Sequence, residues 1–370
     1  MRSRLLHRLE AQVRSAEDRT TWARSLCRQA SHLARQGDGE LARLAIGTVR
    51  KEFGTALEPE VAAWLMLAEG ILLFVEDQTD AARDRILRAR GICIAYACRR
   101  ALPACAAWLS SIEFNRSRYP EMAAHAREAL TQAAVDDHQA HARACLVVAD
   151  AWHFSGSFES SRPWYDATRL HATNEGDEST VSAMLHNVAA YRAGNVCLAD
   201  ALGERLPDEA RRASLEAASA ANYDSAVGTK SFRNLIPRLS AQLLIVDREF
   251  AQAMKVLSHI DPAELLARLH AVHNADKAVC ALNLGDKDAA AVLGREAMAH
   301  LDSAVDDDDS AYVGARLSAL FIALGDDGLS LECSTRADAA LKSHRSTQAE
   351  LRSMLLRTCD EIQRVQSGHR

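Results

Sequence analysis

Four signatures of local chemistry are missing from this chain: a GxSxG nucleophile elbow, an HExxH metal helix, a CxxC pair and a Gly-rich cofactor turn. Each sets reactive groups at a short fixed spacing, so without them no catalytic constellation can be read. The nearest approach to a phosphate loop, Val227-Gly228-Thr229-Lys230-Ser231, has Gly-Thr-Lys where Gly-Lys is needed, and no strand precedes it. Aromatics are scarce at 5%, and six lysines stand against 38 arginines, the bias of a GC-rich bacterial genome. The net charge is −6, and arginine doublets such as Arg99-Arg100 and Arg211-Arg212 are isolated. Both facts argue against nucleic acid as a partner.

Long apolar runs are missing too. The most apolar stretch, Val61–Val75, falls short of the ~20 residues of a membrane span and contains Glu69. The first residues have no apolar core of a secretory signal, and Glu10, Glu17 and Asp18 count against a transit peptide. A cytoplasmic protein with its nine cysteines reduced is the expectation.

Metal ligands do not converge in the sequence. Cys93, Cys98 and Cys105 are the one crowded set, yet Cys98 lies about 140° round a helix from Cys93. His138/His141 and His270/His273 each share a helical face. Two ligands do not make a site and no third follows from spacing, so exposed helix-start histidines are expected. Asp306–Asp309 lacks the Gly and closing Glu of a calcium loop and suits a helix N-terminus as a solvated capping loop. No metal and no cofactor is expected.

What the chain does have is a repeat. Copies such as Trp152–Ala167, Ala190–Leu202, Ala281–Ala297 and Phe321–Ala337 join two apolar helical stretches through a small or turn-forming residue. Anchored on Gly37, Asp77, Ser117, Gly156, Gly194, Arg248, Gly285 and Gly325, the spacings are 40, 40, 39, 38, 54, 37 and 40. Seven residues before the anchors stand Ala30, Gly70, Ser110, Ala149, Asn187, Ala241, Ala278 and Ser318. Five residues after them stand Ala42, Ala82, Met122, Ser161, Ala199, Ala253, Ala290 and Ser330. Side chains this small, recurring in register, mark a close crossing of two antiparallel helices. A period in this range means stacked two-helix units, none of which buries its apolar face alone. No segment alternates at period two for long enough to form a strand.

These positions resemble the tetratricopeptide repeat (TPR): a small residue in helix A, Gly at the turn, then Ala in helix B. The likeness covers Leu26 to Ala340 in eight units. The period exceeds the family's ~34 residues, and the proline that closes helix B is missing from every copy. The chain is thus similar to the long-helix, TPR-like arrays of bacterial regulators and adaptors. The fold implied is all-α, a right-handed α-solenoid of about eight antiparallel helix pairs. An N-terminal capping helix is expected over 1–20, repeats one to five over 21–206 and an inserted helix over 207–229, as a lid or as packing filler. Repeats six to eight follow over 230–345, and a C-terminal capping helix over 346–370 starts at a Thr347–Glu350 capping box. Asp261-Pro262-Ala263-Glu264 reads as a further helix start.

The resemblance implies a concave face lined by the A helices and a protein or peptide segment bound there, without chemistry. The ligand-facing positions, carried over, include Arg35, Asn115, Arg143, Asp150, His153, Tyr191, Arg192, Arg238, Gln242 and Asn283. Repeat two contributes Trp64, Leu67, Ile71, Phe74 and Val75, an apolar set that core packing explains better than exposure. A sensor of a small ligand or short peptide, and an all-helical enzyme with an unrecognised site, are the alternatives.

Overall fold

The computed structural model describes residues 3–233, 235–301 and 305–368. Among them lie seventeen α-helices and no strand. After α1 (Arg4–Arg14) the chain runs in antiparallel pairs: α2 (Arg19–Arg35) with α3 (Gly39–Phe53), α4 (Pro59–Val75) with α5 (Thr79–Ala95). Then come α6 (Leu102–Asn115) with α7 (Tyr119–Gln132), and α8 (His138–Phe154) with α9 (Phe158–Glu175). Next are α10 (Glu178–Ala201) with α11 (Pro207–Val227), and α12 (Leu235–Val246) with α13 (Phe250–Ser258). The last are α14 (His270–Asn283) with α15 (Lys287–His300), and α16 (Asp307–Leu324) with α17 (Asp327–Gly368). No helix of the described residues is long and apolar enough to cross a membrane.

One turn builds all eight pairs, seven of them at the expected anchor. Gly37, Asp77, Ser117, Gly156, Arg248, Gly285 and Gly325 all take positive φ, between 56° and 91°. The next residue then donates its N–H five residues back, as in Asp38 to Leu33 (3.0 Å), Gln78 to Leu73 (2.9 Å) and Asp286 to Ala281 (3.0 Å). This is the Schellman ending, in which a left-handed residue lets the chain satisfy carbonyls the helix leaves open. The repeat-five anchor is corrected: Gly194 lies inside α10, and the turn is at Gly203 (φ 86°), where Glu204 N–H reaches Ala199 O at 2.8 Å. The Ala-rich helix simply tolerates Gly194, whose missing side chain faces open space.

The small-residue register marks the crossings. Ser110 Oγ donates to Met122 O at 3.0 Å, and Ser318 and Ser330 hydroxyls meet at 3.1 Å. Ala30, Ala42, Ala149, Ala241, Ala253, Ala278 and Ala290 are fully buried. A Cβ on Gly70 would collide with Ile86 of the paired helix. Trp64, Leu67 and Ile71 belong to the core, Phe74 packs edge-on to Trp108 with centroids 5.8 Å apart, and Val75 is exposed.

Contacts divide the described chain into two compact units. Unit 1 holds Met1–Met184, Tyr223–Ser231 and Glu350–Arg370; unit 2 holds Leu185–Asn222 and Phe232–Ala349. In unit 1, α1 buries Leu5 and Leu9, with the Ser3 hydroxyl capping its first turn. Leu351, Leu355 and Ile362 join Met122, Val148 and Trp152 in a core. In unit 2, the alanines of α10 (Ala189, Ala193) and α11 (Ala210, Ala213, Ala217) share a core with Leu317 and Phe321.

No helix starts at Thr347. α17 passes straight through it from Asp327 to Gly368, because Leu329–Ser367 contains neither glycine nor proline to break it. At Asp261 the side chain does accept from Ala263 N–H (2.9 Å), but it starts a single 3-10 turn, Pro262–Glu264, rather than an α-helix. The Glu264 side chain lies outside the described residues.

Candidate functional site

In unit 1, α2 presents Arg24, Arg28, Ser31 and Arg35 along one face. That face is not open. Arg28 donates to Gln139 Oε1 (3.0 Å) and Glu175 Oε1 (2.6 Å), and Arg35 Nη1 reaches both oxygens of Asp177 (2.8 and 3.1 Å) and Thr180 Oγ1 (3.0 Å). Gly176, at φ 69°, ends α9 and turns the chain so that Asp177 caps α10, accepting from Thr180 N–H (3.2 Å) and Oγ1 (2.8 Å). Burial would raise the Asp177 carboxyl, yet the Arg35 charge and His32 outweigh it and hold it well below the usual range. Arg35, expected to contact a ligand, is spent inside the protein.

Arg143 is placed differently. α8 sets its guanidinium over the Trp108 ring of α6, 4.1 Å from the centroid, the stacked geometry of a cation–π contact. It makes no hydrogen bond and no ion pair among the described residues. Burial and the neighbouring Arg35 push it down to about 10, with Asp177 and Asp150 pulling the other way. Ser111 Oγ on α6 and Trp64 Nε1 on α4 are buried without a partner. Asp150 and His153 are buried below it on α8, joined through Tyr165, whose hydroxyl donates to Asp150 Oδ1 (2.9 Å) and lies 3.3 Å from His153 Nδ1. Asn115 is exposed at the end of α6 and stands apart.

Unit 2 holds the other expected positions. Arg192 bonds Glu209 and Glu216 of α11, the latter at 2.8 Å, which ties the helix pair together. Tyr191 is half-buried beside it, Gln242 is buried on α12, and Asn283 is exposed and bonds its own helix at Val279 O (2.8 Å). Arg238 lies near two residues the sequence did not single out, His186 on α10 and Asp276 on α14, and two that it did, His273 on α14 and Asp309 on α16. Its charge bears on all four. Only tertiary packing gathers them, since they come from four helices.

The histidine and aspartate readings change. His138 gains a third imidazole, with its Nδ1 2.9 Å from His171 Nδ1, and His141 stacks on His171 at 4.8 Å. Burial and the two neighbours push His171 down to about 4. No group of three ligands set to hold a metal is found among the described residues. His273 is not an exposed helix-start residue but 1% exposed. The aspartate run does open α16, yet Asp308 and Asp309 are only part-exposed, and burial pushes each up to about 6.

No protein-family model matches the chain, and no curated protein sequence does. Solved structures do. A Rap protein complexed with competence and sporulation factor superposes with a TM-score of 0.56 at 11% identity, covering 92% of each chain. The apo form of RapI gives 0.49 at 14% identity, also over 92% of each. At such identity the first of these establishes the fold: all-α, of paired helices in TPR-like repeats.

Proposed function

We propose that this chain is a non-catalytic regulator or adaptor that binds a peptide or an extended partner segment, reading a negatively charged group in unit 1 through Arg143 and Trp108. The carrying observation is the state of Arg143. Every other interior cation of unit 1 described above has a carboxylate, whereas Arg143 is half-buried on an aromatic face with no acceptor. A guanidinium so placed is oriented by stacking and keeps its N–H fork for a carboxylate or a peptide carbonyl. Ser111 Oγ adds an unused donor on the helix that carries Trp108. The fold shared with a Rap protein that was solved with competence and sporulation factor favours a binding role. The reading places the protein in the bacterial cytoplasm, where its eight buried cysteines stay thiols.

The test is selection from a displayed random-peptide library on wild type and Arg143→Gln in parallel, with melting temperatures measured for both. Arg143 makes no hydrogen bond, so the variant is expected to melt within a degree or two of wild type. Peptides enriched on wild type and lost on the variant support the reading. Equal enrichment on both, or none on wild type, rejects it.

A further inference from the structure

In unit 2 a set of buried polar atoms is left without partners. His273 is 1% exposed and neither ring nitrogen is bonded; Asp276 is 0% exposed and its Oδ2 is unbonded. Arg238 Nε and Nη1, Arg316 Nε and His186 Nδ1 are buried and unbonded as well. Each such atom costs about 1–3 kcal/mol if nothing occupies the space beside it, so several in one place point to a ligand that completes them.

The helices aim these groups together. His273 and Asp276 are three apart on α14, and Asp309, Tyr312 and Arg316 follow one face of α16. Tyr312 donates to Asp276 Oδ1 at 2.6 Å, which fixes the carboxyl and leaves Oδ2 to accept from something else. Asp200 takes both other guanidinium groups: Arg316 at 2.8 Å, and Arg248 at 2.8 and 2.9 Å. Arg238 therefore remains a cation with no paired carboxylate among the described residues, while its charge reaches His273, Asp276 and Asp309. His186, on which the Arg238 charge also bears, stacks on Phe232 with centroids 4.5 Å apart at 11°.

We propose that Arg238, His273 and Asp276 form a recognition site for an α-carboxylate flanked by an N–H, the group carried by a free amino acid and by the last residue of a peptide. The Arg238 guanidinium, whose Nε and Nη1 are unbonded, receives the carboxylate as a charge-assisted partner. Asp276 Oδ2 accepts the amino or amide N–H beside it. His273, kept neutral because burial and then the Lys277, Arg238 and His270 charges push it down to about 4, offers one donor and one acceptor nitrogen. This site does not depend on the unit 1 reading and is tested on different residues.

The experiment measures the melting temperature of the full chain with three probes. These are the common L-amino acids one at a time, a randomised tetrapeptide pool with free C-termini, and the same pool amidated. A rise with one amino acid supports the site and makes the source a free amino acid. A rise with the free pool but not the amidated one supports it and makes the source a peptide end. In either case Arg238→Gln is expected to weaken binding by about tenfold or more, whereas Arg143→Gln keeps it. Should Arg238→Gln fail to fold, Asp276→Asn serves instead, since its amide oxygen can still accept from Tyr312 while its Oδ2 acceptor is replaced by a donor. No rise with any probe, equal rises for free and amidated pools, or undiminished binding in a folded Arg238→Gln overturns the proposal.

Discussion

Arg35 and Asp177 stand 142 residues apart in sequence and meet in a buried pair, Nη1 to Oδ2 at 2.8 Å, with side chains 8% and 3% exposed. The pair joins the first helix pair of unit 1 to the connection between α9 and α10, and the carboxylate is already satisfied by Thr180 and His32. Such a pair is costly to break because the surviving charge stays buried alone.

Arg35→Ala and Asp177→Ala are each expected to destabilise unit 1 by about 3–5 kcal/mol, and the double variant by less than the sum. Thermal unfolding followed by calorimetry measures all three. A loss below about 1 kcal/mol for both single variants would mean the pair is open to solvent.

Three non-glycine residues occupy left-handed helix ends without help from a side-chain amide or carboxylate: Ala97 at φ 55°, Ser117 at φ 56° and Arg248 at φ 66°. Their Cβ atoms cost more there than glycine's extra freedom in the unfolded chain. Ala97→Gly and Ser117→Gly are each expected to stabilise by about 0.5–1 kcal/mol. The reverse change, Gly285→Ala at φ 91°, is expected to lower the melting temperature. Melting temperatures that move the other way would contradict the turn geometry.

Glu128 accepts from Arg90 Nε and Nη2 at 2.8 and 2.9 Å, and His125 lies 3.7 Å away. Burial raises the carboxyl, but the His125 and Arg90 hydrogen bonds and charges overcome this and bring it down from 4.5 to about 2. A carboxyl lowered on folding contributes stability that is present above its unfolded value and lost as pH falls through the folded one. The Arg90 contribution is therefore complete above pH 4.5 and fades between 4.5 and about 2. Glu128→Gln is expected to show a shallower loss of melting temperature than wild type over that window. Parallel curves would exclude Glu128 as a source of the acid limb.

The fold was largely legible because its rule is local. A left-handed turn residue, a small residue seven before it and another five after it recur in the chain, and the same residues make the turns and crossings at Gly37, Asp77, Ser117, Gly285 and Gly325. The register failed at Gly194, where an alanine-rich helix carries a glycine that no turn uses, and at Thr347, where a capping pattern lies in a helix with nothing to stop it. In both places a local signal was outvoted by the continuity of the helix around it.

The site was less legible. Periodicity puts Arg35, Arg143, Arg192 and Arg238 on A-type helices but does not say which arginine meets a carboxylate. Arg35 finds Asp177, Arg192 finds Glu209 and Glu216, and Arg143 finds Trp108. The sequence alone determined the helix pairs, their turns and their close crossings, because those depend on neighbours within about forty residues. Only the tertiary structure decided which charges are neutralised and which are left, because that depends on which side chains packing brings together, some more than a hundred residues apart as with Arg316 and Asp200, and burial makes each such match or mismatch worth several kcal/mol.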